Sequence, residues 1–378
     1  MAMDRLFVLM KDKGASDMFL AVNSPIHLKI NGNLVPINQQ KMDLVTIMTL
    51  LAEVVPAPRL QELERDNELN IGIPVSGVGS FRLSAFRQRS SISAVLRYIP
   101  HNIPDLPTLN VPPVLSELIM AKRGLMLVVG STGSGKSTTI ASMLDYRNEH
   151  IAGHILTLEE PIEFLFRNKR SIVNQREIGV DAETLAIALK NALRQSPDCI
   201  MIGEIRDRET MEAAMAYAQS GHLVVSTLHA NNSYRALNRI IGFFPLENRP
   251  ALLQDLSSTI TAIISQRLVP AIDGGRVPAV EVLLNTHHVA DLIEDGEIGQ
   301  IRDAIEKSLS PGSQTFEQAL LQLIRNGKIT QDAAMANADS ASNLFWMINN
   351  TAGGNPASPD PVIPVPDGPT FTEFTFNT

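Results

Sequence analysis

Cysteine is nearly absent. The one in 378 residues, Cys199, sits inside the apolar run "CIMIGE", so neither an internal disulfide nor a cysteine-built metal site can form. A basic excess is absent too: the formal net charge is −8, and nucleic-acid binding proteins usually carry a clear basic face. No stretch approaches the ~20 apolar residues needed to span a bilayer. The N-terminus, "MAMDRLFVLMKDKGASD", is too charged and too short in its apolar part for a signal peptide. These absences point to a cytoplasmic protein with no direct membrane insertion and no nucleic acid as partner, one that meets a membrane only through another protein or a surface patch. The chain is long enough for two or three domains with sizeable cores.

Residues 1–99 read as a mixed α/β unit. "DRLFVLMKDKG" has a helical pattern ending at Gly14, and "DMFLAV", "IHLKING" and "NLVPI" read as short strands, the last two meeting at Asn31-Gly32, a favoured hairpin pair. "DLVTIMTLLAEV" and "APRLQELERDNE" are helix candidates, and "GSFRLSAFRQRSSISAVLRYIP" reads as two strands. "IPHNIPDLPTLNVPP" holds five prolines, which makes residues 100–113 a stiff linker and the best domain boundary. Residues 114–350 form the second domain. Its apolar runs "LMLVV", "HILTL", "CIMI", "HLVVST" and "PAVEVLL" alternate with helical stretches, the signature of a parallel sheet buried on both faces. Residues 286–349 read as helical. From 351 to 378 the chain has six prolines and no Lys or Arg, the composition of a disordered tail; Phe371, Phe374 and Phe376 near its end read either as a docking peptide or as part of an unbound tail.

"VVGSTGSGKST", residues 128–138, contains G-x-x-x-x-G-K-[ST] between a strand pattern and a helix pattern, the order a phosphate-binding loop requires. Gly130, Gly133 and Gly135 allow the backbone of Gly130, Ser131, Thr132, Gly133, Ser134 and Gly135 to turn its N–H groups inward. The following helix adds its positive N-terminal end. Lys136 supplies a point charge for the β- and γ-phosphates, Ser137 a hydroxyl for Mg²⁺, and Thr138 continues the first turn.

In an open parallel sheet, ligands bind beyond the carboxyl ends of the strands. After "HILTL" come Glu159, Glu160 and Glu163; after "CIMIG" come Glu204, Arg206 and Asp207; "HLVVSTL" leads to His229, preceded by Thr227. If the runs are neighbouring parallel strands, all these groups meet the phosphate loop at one edge. Carboxylates there hold the Mg²⁺ shell and orient or deprotonate water, and a histidine hydrogen-bonds the γ-phosphate. The alternative is plainer: Glu204 and Asp207 pair with Arg206 and Arg208 on the surface, 159–163 is a solvated turn, and His222 and His229 are structural. Arg82, Arg87, Arg89 and Arg97 on the first domain's strands read equally as a solvated face or as arginine fingers acting in trans.

"GSTGSGKST", "LEEPIEF", "ALRQSPDCIMIGEIRD" and "SGHLVVSTLHANNS", in this order and spacing, resemble the Walker A, Asp-box, Walker B and His-box motifs of secretion-type hexameric ATPases. "ASDMFLAVNSPIHLKINGNLVPI" and "FRLSAFRQRSSISAVLRYIP" resemble the N-terminal domain of the pilus-retraction (PilT/PilU) group, on its PilU-like side. The resemblance implies an α/β protein: a PAS-like N-terminal α+β domain, then a RecA-like P-loop ATPase domain with a C-terminal helical extension. It implies ATP and Mg²⁺ as cofactors and a homo-hexamer binding nucleotide between subunits. It also implies Glu163 as catalytic base, Glu204 as the Walker B glutamate and a metal-shell residue beside Ser137, His222 and His229 as the His-box pair, and Arg82, Arg87 and Arg97 as nucleotide-contacting arginines. The implied work is type IV pilus retraction at the inner membrane, with a pilus platform protein and a paralogous retraction ATPase as partners.

Two stretches depart from that pattern. Retraction motors of the PilT type usually carry Asp where this chain has Glu160. They also carry a basic "AIRNLIRE" helix, whose counterpart here is "HVADLIEDGE", with Ala290, Asp291 and Glu294 at its polar positions. The departure leaves two readings open: an accessory motor, or an adaptor subunit that binds ATP with little turnover. A pilus-assembly or type II secretion ATPase is disfavoured by the short N-terminal domain and single cysteine, since those relatives usually carry a four-cysteine zinc module. A DNA-stimulated motor is disfavoured by the acidic balance.

Overall fold

Phe81, Leu83 and Ala85 alternate with Arg82 and Ser84, the period of two that a strand with one buried face requires. A computed structural model, describing residues 2–30, 32–99 and 102–351, buries those three apolar residues and leaves the two polar ones partly exposed. They lie inside a six-stranded antiparallel sheet of order β3-β2-β1-β6-β5-β4. In chain order the domain runs α1 (Ala2–Asp12), β1 (Ala15–Ala21), β2 (His27–Ile30), β3 (Asn33–Pro36), α2 (Leu44–Ala52), α3 (Ala57–Asp66), β4 (Glu68–Val75), β5 (Gly79–Gln88) and β6 (Ser91–Ile99). Helix α1 lays Met3, Phe7 and Met10 into the core, and the Phe7 ring stacks on Phe81 at 4.0 Å between centroids. Strand β4 carries Gly72 and Pro74, which conceal it in the sequence. They are tolerated because β4 is an edge strand.

The second domain begins with α4 (Val114–Leu118), β7 (Gly124–Val129), α5 (Lys136–His150), β8 (His154–Glu159), β9 (Ile172–Glu177), α6 (Leu185–Ala192) and β10 (Cys199–Ile202). It continues with α7 (Arg208–Gln219), β11 (Leu223–Leu228), α8 (Ser233–Gly242), α9 (Arg249–Thr259), β12 (Ile260–Pro270) and β13 (Arg276–Leu284). The sheet order is β13-β12-β7-β11-β10-β8-β9. Strands β12 through β9 are parallel to their neighbours, and β13 pairs antiparallel with β12. Strand β7 shows why the central runs are apolar without alternation: Leu125, Leu127 and Val129 enter the core on one face, Met126 and Val128 the core on the other.

Several expectations need correction. The run "PAVEVLL" is a strand, but antiparallel. Strand β9 is a polar edge strand and went unrecognised for that reason, and β12 follows α9 with no turn residues between them, so nothing in the sequence marks its start. The proline-rich connection is not free of the fold. Leu106–Leu109 form a 3₁₀ turn and Leu106 is buried in the core around α4 and α5. The proposed tail with Phe371, Phe374 and Phe376 lies outside the described residues, as does Asn31 of the hairpin pair. Gly32 takes φ 85°, the left-handed conformation such a turn demands.

The helices α10 (His287–Glu294), α11 (Ile301–Glu306), α12 (Phe316–Arg325), α13 (Gln331–Asn337) and α14 (Ala341–Thr351) follow among the described residues. Phe316, Leu320, Ala334 and Leu344 pack on Val269 and Val277 of the β12–β13 hairpin. The core of residues 3–96 shares no residue with those of the second domain. Phe81→Ala should therefore destabilise the first domain selectively, by roughly 3–5 kcal/mol. Denaturant titration should show an early transition preceding that of the second domain, and a single unshifted transition would contradict this.

Candidate active site

The phosphate-type loop joins the end of β7 to the start of α5. Gly130 has φ 158°, and a Cβ there would stand 2.4 Å from Ser134 Oγ and 2.5 Å from the Gln266 carbonyl oxygen. Gly135 has φ 88°, and its Cβ would meet Gln266 Nε2 at 2.7 Å. Both glycines are required by close approach as well as by conformation. Gln266 of β12 is the staple: its Nε2 donates to the Ser134 carbonyl at 2.9 Å, and its Oε1 accepts from Thr139 Oγ1 at 2.8 Å. No motif advertises this residue. Its signal was only that of a polar side chain within an apolar strand.

Lys136 Nζ donates to the carbonyls of Gly130 and Ser131, each at 2.9 Å. Burial pulls its ammonium below the usual lysine range, while Glu204 and Glu163 act in the opposite direction. An anion entering the loop would offset that desolvation by pairing with the ammonium. The loop borders a cleft of about 930 Å³ whose lining includes Thr132, Gly133, Gly135, Lys136, Ser137 and Thr138. Gly130, Ser131 and Ser134 border a second hollow of about 360 Å³ behind the loop.

The carboxyl ends of β8, β10 and β11 deliver the remaining groups to the same cleft. Glu159, Glu160, Glu163, Glu204, Arg206, Asp207, Thr227 and His229 all line it. Strand pairing explains this: β8, β10, β11 and β7 are consecutive parallel neighbours, so their ends share one edge. Glu204 is held at both oxygens, by His229 Nε2 at 3.4 Å and by Arg206 Nε at 2.8 Å. Arg206 Nη1 also reaches Glu160 at 3.0 Å. The alternative of surface pairing thus holds for Glu204 with Arg206, but inside the cleft. Asp207 instead caps α7, accepting from Thr210 N at 2.8 Å, and Arg208 pairs with Glu212. Glu159 is buried and accepts from Thr157 Oγ1 at 2.6 Å and Gln175 Nε2 at 3.1 Å. Burial pushes its carboxyl above the usual range despite these bonds.

Four other expected residues come from outside these strand ends. Arg97 lines the cleft from the first domain, with its Nε donating to buried Asp17 at 2.9 Å. Arg82 is its cross-strand neighbour on β5 but does not border the cleft. Arg87 lies five residues further along β5, at the exposed hairpin end. His222 precedes β11, at the amino edge of the sheet: its carbonyl accepts from Gly124 N at 3.0 Å, and Ser220 Oγ lies 3.0 Å from its Nδ1. Within one subunit the length of β11 separates it from His229, so the two histidines do not form a pair here. Leu268 and Arg276, which border the cleft from β12 and β13, escaped sequence reasoning because neither belongs to a motif.

The fold and cleft thus define a P-loop α/β domain preceded by an α+β domain, and the chain belongs to the Type II/IV secretion system protein family, matched over residues 4–290. It is 45% identical over 349 residues to the type IV pilus ATPase PilU of Pseudomonas aeruginosa, covering 92% of this chain and 91% of that one. Identity to the pilus retraction ATPase PilT of the same organism is 36% over 344 residues, covering 91% and 100%. A crystal structure of the pilus retraction motor PilT with bound ADP superposes with a TM-score of 0.84 at 39% identity, covering 90% of this chain and 99% of that one. The two domains and helical extension of this chain correspond to the expected N-terminal domain and RecA-like ATPase domain.

Gly130→Ala should lower nucleotide affinity by at least about 100-fold, since its Cβ would overlap two atoms of the loop's support. Titration with a fluorescent ATP analogue measures this; unchanged affinity would contradict the loop geometry. Glu159 binds its proton more tightly folded than unfolded, so it costs stability as pH rises above the ordinary carboxyl range toward its raised pKa. Glu159→Gln should therefore lose less stability than the wild type between pH 5 and pH 8, read from denaturation midpoints.

Proposed function

We propose that this chain is an ATPase that couples ATP hydrolysis to type IV pilus retraction, working as an accessory motor beside a paralogous retraction ATPase. The observation that carries the reading is the convergence of Glu163, Glu204 and His229 on the Lys136 loop in one cleft. In that arrangement the loop N–H groups and Lys136 bind the β- and γ-phosphates. Glu163 orients the attacking water and accepts its proton. Glu204 is aimed by His229 and Arg206, and His229 meets the γ-phosphate. Arg97 brings a positive charge from the first domain, whose backing carboxylate, Asp17, is buried. Arg82 and Arg87 are read as contacts to a neighbouring subunit's nucleotide, and His222, at the opposite sheet edge, as an intersubunit residue.

Mg²⁺ fits this site. The Ser137 hydroxyl in the first turn of α5 and the Glu204 carboxylate line the same cleft, and Mg²⁺ habitually takes few protein oxygens beside those of phosphate. When bound, it neutralises charge on the β- and γ-oxygens. The ring is read as a homo-hexamer passing its motion to an inner-membrane platform protein from the cytoplasmic side. Among the described residues no helix is long and apolar enough to cross a membrane.

The accessory role rests on α10. Val289, Leu292 and Ile293 face inward, while Asp291, Glu294 and Asp295 are exposed. The outer face is acidic where retraction motors of the PilT type are basic. Steady-state phosphate release tests the whole reading. Lys136→Ala should abolish turnover, and Glu163→Gln and Glu204→Gln should each lower kcat by at least about 100-fold. Full activity in either glutamine variant would refute the assignment. ATP binding without wild-type turnover, alone or with the paralogue, would favour the adaptor.

A further inference from the structure

The loop carrying His229 is anchored on every side. Arg239 Nη1 of α8 donates to the His229 carbonyl at 3.0 Å. Arg267 of β12 donates through Nη2 to the Asn231 carbonyl at 3.0 Å and through Nη1 to the Asn337 carbonyl at 2.6 Å. The same guanidinium pairs with Asp339 and lies over the Phe316 ring, 3.9 Å from its centroid. The second oxygen of Asp339 accepts from Asn232 Nδ2 at 2.8 Å, while Asn232 Oδ1 caps α8 by accepting from Arg235 N at 2.9 Å. Ser233 donates through its backbone N–H and hydroxyl to buried Glu281, at 2.8 and 2.7 Å. Residues 231 and 232 are thus tied to the segment between α13 and α14.

From that segment the contacts continue. Ser340 N donates to Glu317 Oε1 of α12 at 2.8 Å, and buried Glu317 pairs with Arg302 of α11 at 3.3 Å. The side chains of Arg267 and Asp339 are about four-fifths buried, at 20% and 22% exposure. Their pairing is therefore screened far less than a surface bridge. The planar fork of arginine spends its donors on two separate backbone carbonyls and a carboxylate, a geometry lysine cannot reproduce. A loop bolted in this way cannot shift without displacing what it is bolted to.

We infer that Arg267 and Asp339 are positioning residues that fix the His229 loop and tie its position to the C-terminal helices α11 to α14. The inference rests on the reading of His229 as a γ-phosphate partner. Loss of the γ-phosphate then moves the loop, and the Asn232–Asp339 and Arg267–Asn337 bonds pass that movement to the helical extension. This gives the catalytic domain a mechanical output through its helical extension.

Asn232→Ser separates this role from folding, because serine keeps the helix cap but lacks the amide that reaches Asp339. Asp339→Asn keeps the shape and removes the charge facing Arg267. Each should lower kcat by about tenfold, as small misplacements of catalytic groups do, with KM within about twofold of wild type and the thermal midpoint unchanged for Asn232→Ser. In the wild type, Mg·ATP should slow amide exchange across residues 337–343; in both variants this protection should be lost. Unchanged kcat with protection intact, or a raised KM at constant kcat, would overturn the inference. His229→Ala, measured alongside, separates the two failures. If it lowers kcat while both other variants are silent, only the clamp is wrong; if it has no effect, the reading of the site falls and the clamp with it.

Discussion

A parallel sheet buried on both faces presents its solvent-accessible chemistry at its strand ends. The layout of the cleft follows from that constraint. Strands β12, β7, β11, β10, β8 and β9 run the same way, and side chains along β7 feed two separate cores. The turns leaving β7, β8, β10 and β11 are forced into one row. Residues far apart in sequence, from Lys136 to His229, become neighbours because their strands are hydrogen-bonded neighbours.

Electrostatics then organise that row. The partly desolvated Lys136 stands near Glu163 and Glu204, so the cleft holds a partly buried cation facing two carboxylates, of which Glu204 is restrained by its own partners. Glu204 is gripped by His229 and Arg206, and Arg206 by Glu160. Such a chain is sensitive to any anion that competes for Lys136, which is the property a hydrolysis site needs. The buried Glu159 and Glu281 contribute differently. Both carboxyls are pushed above the usual range by burial, and both sit on strands: Glu159 at the cleft, beside Glu163, and Glu281 under the Ser233 turn.

Much of the site was legible before any coordinates. The loop 130–137, the carboxylates after "HILTL" and "CIMIG", and His229 after "HLVVSTL" were readable because short apolar runs mark buried strands, and buried strands end at ligands. Gln266, Leu268 and Arg276 were not legible, because they reach the loop through β12 and β13, whose start and direction have no local signature. His222 is grouped with His229 by the motif resemblance, whereas a six-residue strand separates them. Arg82, Arg87 and Arg97 were equivalent as arginines in strands. Cross-strand pairing with Asp17 and a place in the cleft lining distinguish Arg97 from the others.

The sequence by itself determined the local grammar: which segments bury one face or two, where glycine must permit a positive φ, and which chemistry stands at each strand end. These depend on residues within a few positions of one another. Only the tertiary structure decided which strands became neighbours, that Gln266 staples the phosphate loop from 132 residues further along the chain, and that Asp339 holds the His229 loop. Those contacts are selected by the packing of whole helices and sheets, and a hydrogen bond between distant residues leaves no periodic trace in the chain that forms it.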